Sequence, residues 1–293
     1  MTGARRPRRW WLAAAAGSVL LVAACGQSGG EGPAGTGLVL AVIGDYGACA
    51  ADQSRSACQH ESEVADQVHS WRPAAIITVG DNSYEDGTCE EVRQASAPYA
   101  SDIAAHRFYQ VTGNHDWHSG QQGIDCATAY FGHPDHYVAR FGEGLMDLFA
   151  VDVNSNPDGC CAESPQNRQY DQDVAASGAT WRVEAQHQPR WVSACTHASS
   201  EWTDWVVDPR IDLYLAGHVH HMEHLVENGQ NFVVNGAGGN GLDRSCEPIP
   251  GTVWSDQDHY GATRLTVSRT SLLVEFVAAE GVVLHSFRLH RGG

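Results

Sequence analysis

Short apolar runs alternate with polar stretches along most of the chain. Leu38 to Ile43 is apolar and β-branched and stops at Gly44-Asp45. His60 to Trp71 carries Val64 and Val68 four apart, the spacing of one helix face, and Pro73 ends it. Ala74 to Val79 reads as a second buried strand, ending at Gly80-Asp81, and Phe108 to Val111 as a third, ending at Gly113-Asn114-His115-Asp116. Leu145 to Val153 and Thr180 to Gln186 continue the pattern, and Ile211 to Ala216 ends at Gly217-His218-Val219-His220. The last third changes character. Phe232 to Asn235, Ala262 to Ser268, Leu272 to Ala278 and Val282 to Leu289 follow one another without a helical interval.

The early β-α-β units predict a mixed sheet with helices outside it, and the late meander predicts a second sheet packed on the first. Residues 117–140, 154–170 and 240–259 are polar and read as loops. Several strands end in a glycine followed at once by a residue able to bind metal. In open α/β sheets ligands bind beyond the carboxyl ends of strands. Gly44, Gly80, Gly113 and Gly217 are expected to allow tight turns there. Asp45, Asp81, Asn114 and His218 could then meet at one rim, although far apart in sequence.

The N-terminus is an address rather than part of the fold. Arg5, Arg6, Arg8 and Arg9 precede an apolar run from Trp10 to Ala24, which suits a signal peptide and is short for a spanning helix. Val22-Ala23-Ala24-Cys25 resembles a bacterial lipobox, and Arg8-Arg9 a twin-arginine signal. We therefore expect a signal over 1–24, a Gly/Ser/Pro-rich tether over 25–37 and a single catalytic domain over 38–291, with export by the Tat or Sec route and a lipid anchor on Cys25 at a bacterial surface or in the periplasm. Eight cysteines remain after Cys25, an even number that suggests disulfides in an exported protein, with Cys49–Cys58 the local candidate. The formal net charge is −17, more negative once the signal is lost, which argues against a nucleic-acid partner. Every basic residue is arginine. The absence of lysine excludes a Walker phosphate loop and Schiff-base chemistry.

Taken in order, Gly44-Asp45-Tyr46-Gly47, Gly80-Asp81-Asn82-Ser83-Tyr84, Gly113-Asn114-His115-Asp116, His187 and Gly217-His218-Val219-His220 resemble the calcineurin-like metallophosphoesterase superfamily. Tyr84 at the end of the second motif resembles the purple acid phosphatases, in particular their short, mammalian-type branch. The resemblance implies an α/β fold (α+β-like), a four-layer α/β/β/α sandwich of two mixed sheets, with a dimetal site at the carboxyl ends of strands. It implies one metal held by Asp45, Tyr84 and His220, another by Asn114, His187 and His218, and Asp81 bridging them. Fe(III) would occupy the first position and divalent Fe, Zn or Mn the second. Phenolate and carboxylate favour a trivalent ion, imidazole and amide a borderline divalent one.

Two such ions outweigh the charge of Asp45, Asp81 and ionised Tyr84, so a phosphate dianion can bind within an acidic protein. The reaction so implied is hydrolysis of small phosphomonoesters by in-line attack of hydroxide generated at the metal pair. His115 would face the leaving oxygen, with Asp116 orienting its ring, and His197 would lie near the substrate. The sequence departs from the family at the fourth motif, where Gln186 precedes His187 instead of glycine. Two other readings stand beside this one: a phosphodiesterase with a Mn or Zn pair, and a catalytically silent metal-binding surface lipoprotein.

Overall fold

The computed structural model describes residues 37–50, 55–154, 164–195, 205 and 207–291. Strand β1 (Leu38–Ile43) leads through helix α1 (Arg55–Ser70) to β2 (Ala75–Thr78). Helices α2 (Cys89–Ala95) and α3 (Ala100–Ala104) precede the short β3 (Phe108–Tyr109), and α4 (Gln121–Phe131) follows it. The middle supplies β4 (Tyr137–Phe141), β5 (Met146–Ala150), α5 (Pro165–Ala176), β6 (Trp181–Ala185), β7 (Leu213–Ala216), β8 (Met222–Glu227), β9 (Gln230–Asn235) and β10 (Thr252–Asp256). The chain closes with β11 (Gly261–Val267), β12 (Ser271–Ala278) and β13 (Val283–His290).

Two mixed sheets result, with strand orders β13-β12-β11-β1-β2-β3 and β10-β8-β9-β7-β6-β5-β4. Side-chain parity along each strand builds the layers. On β1, Leu40 and Val42 face the other sheet and pack with Leu148, Val183 and Leu215, while Ala41 and Ile43 face α1 at Val64 and Val68. On the far side of the second sheet, Phe149, Tyr214 and Phe232 pack against Tyr170 and Val174 of α5. The expected helix–sheet–sheet–helix sandwich is thus the observed architecture. One expectation needs correcting. The late meander does not form the second sheet. β11 pairs antiparallel with β1, Leu40 opposite Leu265, so β11–β13 extend the first sheet, and Phe232–Asn235 alone joins the second, beside β7. Alternation shows that a strand is half-buried, but not which neighbour it pairs with.

The parallel strands β1, β2 and β3 of one sheet, and β6 and β7 of the other, bring their carboxyl ends to one rim. Disulfides brace the segments beyond that rim. Cys49–Cys58 forms as expected, Cys89–Cys126 ties α2 to α4, and Cys195–Cys246 ties the loop after β6 to the loop before β10. Such bonds suit an oxidising, extracytoplasmic setting. Cys25, Cys160 and Cys161 lie outside the described residues. Among the described residues no helix is long and apolar enough to cross a membrane.

Candidate metal centre

Five strand ends deliver the candidate ligands. Asp45 follows β1, Asp81 and Tyr84 follow β2, Asn114 and His115 follow β3, His187 follows β6, and His218 and His220 follow β7. The backbone is left-handed at Asp45, Asp81 and His218, with φ of 55°, 49° and 71°. Such conformations cost non-glycine residues on the order of 1 kcal/mol or more and concentrate at functional sites. Of the four strand-end glycines only Gly80 takes a positive φ, 94°. The others matter because they are small. A Cβ on Gly113 would stand 2.1 Å from Asp81 Oδ1, and one on Gly217 2.5 Å from Asp45 Oδ2. Each glycine makes room for a carboxylate delivered by another strand. Gly113→Ala is therefore expected to displace Asp81, to cost about 1–3 kcal/mol of stability, and to lower the bound-metal stoichiometry. Calorimetric melting with elemental analysis checks this; an unchanged melting point together with full metal content would contradict it.

The ligand atoms fall into two groups. In the first, Tyr84 Oη lies 3.2 Å from Asp45 Oδ1 and 3.3 Å from His220 Nε2, and His220 Nε2 lies 3.4 Å from Asp45 Oδ1. In the second, His187 Nε2 lies 3.1 Å from Asn114 Oδ1, 3.2 Å from His218 Nδ1 and 3.2 Å from Asp81 Oδ1. Donors placed about 2.0–2.2 Å from one ion are about 3.0–3.5 Å apart. Tautomers sharpen the point. His187 Nδ1 donates to Val79 O at 2.8 Å and His220 Nδ1 to Gly241 O at 2.8 Å. In each neutral ring Nε2 then carries a lone pair, aimed at other lone pairs. Buried acceptors converging in this way need a cation between them. The donor set fits a pair of metal ions, one per group.

Protonation behaviour says the same. Burial alone would lower the pKa of His187, but Asp81 outweighs it and raises the ring to about 9. Burial likewise opposes the charge on His220, and Asp45 raises it to about 9. Burial opposes ionisation of Asp81 too, yet His187 and His115 hold its carboxyl well below the usual carboxylate range. Burial and the neighbouring His187 push His218 down to about 3. Without metal, each ligand group thus takes up one positive charge, at His220 and at His187.

Three positioning residues escaped the sequence reading. Asn82 receives hydrogen bonds at Oδ1 from Thr78 Oγ1 and Tyr46 Oη, and donates through Nδ2 to Val111 O and Asp116 Oδ2. Asp243 Oδ2 accepts from the His220 backbone N–H at 3.0 Å, and Gly241 O fixes the His220 ring. The loop carrying Gly241 and Asp243 showed no periodic signal, whereas Asn82 lies inside a recognised motif and was passed over.

Asp116 requires a correction. Its carboxylate accepts from the backbone N–H groups of Gly113 and Asn82, the Asn82 amide and Ser83 Oγ, so it knits two loops together and does not orient His115. The Glu85 carbonyl does that, 3.0 Å from His115 Nδ1. His115 Nε2 then stands 4.0 Å from Asp81 Oδ2, at the edge of the ligand cluster. His197 lies outside the described residues.

Comparison with known proteins bears on the family and the fold. Residues 232–286 match the iron/zinc purple acid phosphatase-like C-terminal family. A nucleotide pyrophosphatase/phosphodiesterase of barley (Hordeum vulgare) is 25% identical over 272 residues, covering 74% of this chain and 72% of the relative. Purple acid phosphatase 7 of Arabidopsis thaliana is 22% identical over 252 residues, covering 74% and 76%. Among solved structures, a purple acid phosphatase from yellow lupin seeds superposes with a TM-score of 0.64 at 16% identity, over 86% of this chain and 53% of its own. The chain thus spans about half the length of the lupin protein. GAP50, the anchor in the inner membrane complex of Plasmodium, also reaches 0.64 at 16% identity, over 88% and 90%. At such identities both structures speak for the fold alone. The match that takes in β1 through β7, and with them all the strand ends that carry the two ligand groups, runs over residues 38–222, and by it the chain belongs to the calcineurin-like phosphoesterase family.

Proposed function

We propose that this chain is an exported acid phosphatase-like hydrolase of small phosphoric monoesters, using Fe(III) beside a divalent Fe, Zn or Mn ion. The observation that carries the reading is Tyr84: its phenol lies within 3.3 Å of both Asp45 Oδ1 and His220 Nε2, in the group suited to a trivalent ion. When bound, the ions would polarise the phosphoryl oxygens and make hydroxide available at mild pH. The protein does the rest. Asp45, Tyr84 and His220 would hold one ion, Asn114, His187 and His218 the other, with Asp81 a ligand available to both. His115, with Nδ1 committed to the Glu85 carbonyl, keeps Nε2 for the leaving oxygen and delivers a proton there when charged. The N-terminal address supports export and a lipid anchor on Cys25, and the negative charge supports a partner other than nucleic acid.

A second reading is a phosphodiesterase with a Mn or Zn pair, and the name of the barley relative favours its diesterase part. One experiment separates them. Natively produced, oxidised protein should contain iron, show a visible tyrosinate-to-iron band, and hydrolyse p-nitrophenyl phosphate faster than bis-p-nitrophenyl phosphate. Colourless, iron-free protein that prefers the diester would support the second reading.

A further inference from the structure

Two imidazoles outside the ligand groups end on the same atom. His115 Nδ1 lies 3.0 Å and His118 Nδ1 2.7 Å from the Glu85 carbonyl oxygen. A carbonyl oxygen only accepts, and it has two lone pairs. Each ring therefore keeps its hydrogen on Nδ1 and turns Nε2 away from Glu85. The two rings stand 4.5 Å apart at 52°, and the Tyr84 ring lies 4.3 Å from His115. Tyr84, His115 and His118 thus form a row of rings leading from the ligand cluster to solvent, with His118 at its exposed end.

The row assigns His118 a place on the leaving-group side, one ring beyond His115. Its neutral form offers a lone pair at Nε2, fixed in direction by Glu85. Charge narrows what that lone pair would meet. Glu85 and Asp86 are exposed on the same loop, so a second anionic group is unwelcome there. Arg107, Arg140, Arg210, Arg244, Arg264 and Arg291 are engaged by acids other than the candidate ligands. A hydroxyl donor suits the position.

We propose that His118 is a specificity residue that accepts a hydrogen bond from a hydroxyl next to the ester oxygen, so that the site selects phosphate esters of polyols over plain alkyl phosphates. This rests on the hydrolase reading for its substrate, and the test keeps the two apart. Propylphosphonate and 3-hydroxypropylphosphonate, in which a methylene stands for the ester oxygen, differ by one hydroxyl placed as in a glycol phosphate, and neither is a hydrolysable ester. Their affinities for metal-loaded, full-length protein are measured by titration calorimetry. Wild type should prefer the hydroxylated ligand by about three- to tenfold, the scale of one neutral hydrogen bond.

His118→Phe keeps a ring against His115 but has no acceptor, and should bring the ratio to about one. Equal affinities in wild type, or a preference that survives the substitution, overturn the proposal. So would a long-range 15N–1H spectrum placing the His118 hydrogen on Nε2 in the neutral ring. Turnover of p-nitrophenyl phosphate is recorded separately: its absence would count against the hydrolase reading, while the binding ratio still decides the role of His118.

Discussion

Asp81→Ala is expected to lower phosphoester turnover by about three orders of magnitude or more, beyond the loss of a single preorganised donor, and to empty at least one metal position. Asp81 is only 2% exposed. Its Oδ1 accepts from the His115 backbone N–H at 3.0 Å and lies 3.2 Å from His187 Nε2, while its Oδ2 points toward the His115 ring at 4.0 Å. One carboxylate thus touches the second ligand group, its principal imidazole and the backbone of His115. Its removal takes away the anion that balances His187, and leaves an imidazole that Asp81 had raised to about 9 without that counter-charge. Asp116→Ala provides the contrast. Asp116 is equally buried but spends its oxygens on Gly113, Asn82 and Ser83, so its loss should act through stability first. Elemental analysis, circular dichroism and turnover on the same samples distinguish the two. A folded Asp81→Ala protein with two ions per chain and full turnover would refute the assignment.

Much of this site is legible in the sequence because each ligand sits one or a few residues beyond an apolar strand, and strands advertise themselves. Asp45, Asp81, Asn114 and His218 are found by that rule alone. The meeting of the two ligand groups is not, since it depends on which strands pair, and β11 joining β1 leaves no mark on the local pattern. Four helices also hide, the short α2 and α3 and the longer α4 and α5. α4 buries Gly123, Ile124, Ala127 and Phe131, a helical spacing, but it begins at Gly120 with φ 61° and is short enough to read as a loop. α5 buries only Gln166, Tyr170 and Val174, and its one clear signal is Ser164, whose side chain caps Asn167 N–H, followed by Pro165 in the first turn. The small size of Gly113 and Gly217 was read as backbone freedom, because sequence shows the glycine and hides the carboxylate that needs its space. His221 and His224 belong to the same histidine-rich stretch as His218 and His220 but are not among the implied ligands. In the fold His221 pairs with Glu223 and His224 with Asn231 and His285, inside the second sheet and against the first.

The metal-free protein should be more stable in mild acid than at pH 8. Glu61 on α1 and Glu184 on β6 are buried, and burial raises both carboxyls from an ordinary 4.5 to about 8. Tyr170 donates to Glu184 and opposes the rise without cancelling it. Between the two values the folded chain holds protons that the unfolded chain has released, so stability falls as pH increases. The contribution is complete below about 4.5 and gone once pH passes about 8. Burial raises Asp152 to about 6 and Asp116 to about 7 as well, and His187 and His220, raised to about 9, act in the same sense at the upper end, while His133 and His218, pushed down to about 4 and about 3, oppose it below their ordinary 6.5 without outweighing the buried acids. Asp81, Asp208 and Glu223, all held low, change stability only at more acidic pH.

The expected result is a melting temperature several degrees higher at about pH 5 than at about pH 8, equivalent to a few kcal/mol in all. Glu184→Gln tests the cause. The carboxamide can still accept from Tyr170 but never ionises, so the variant should gain stability at pH 8 and lose part of the slope. A wild-type melting point that is flat across the window, or a slope that Glu184→Gln leaves unchanged, would show that Glu184 does not set it. A hydrolase whose core acids stay protonated holds its fold best in mild acid, before its metal chemistry is considered.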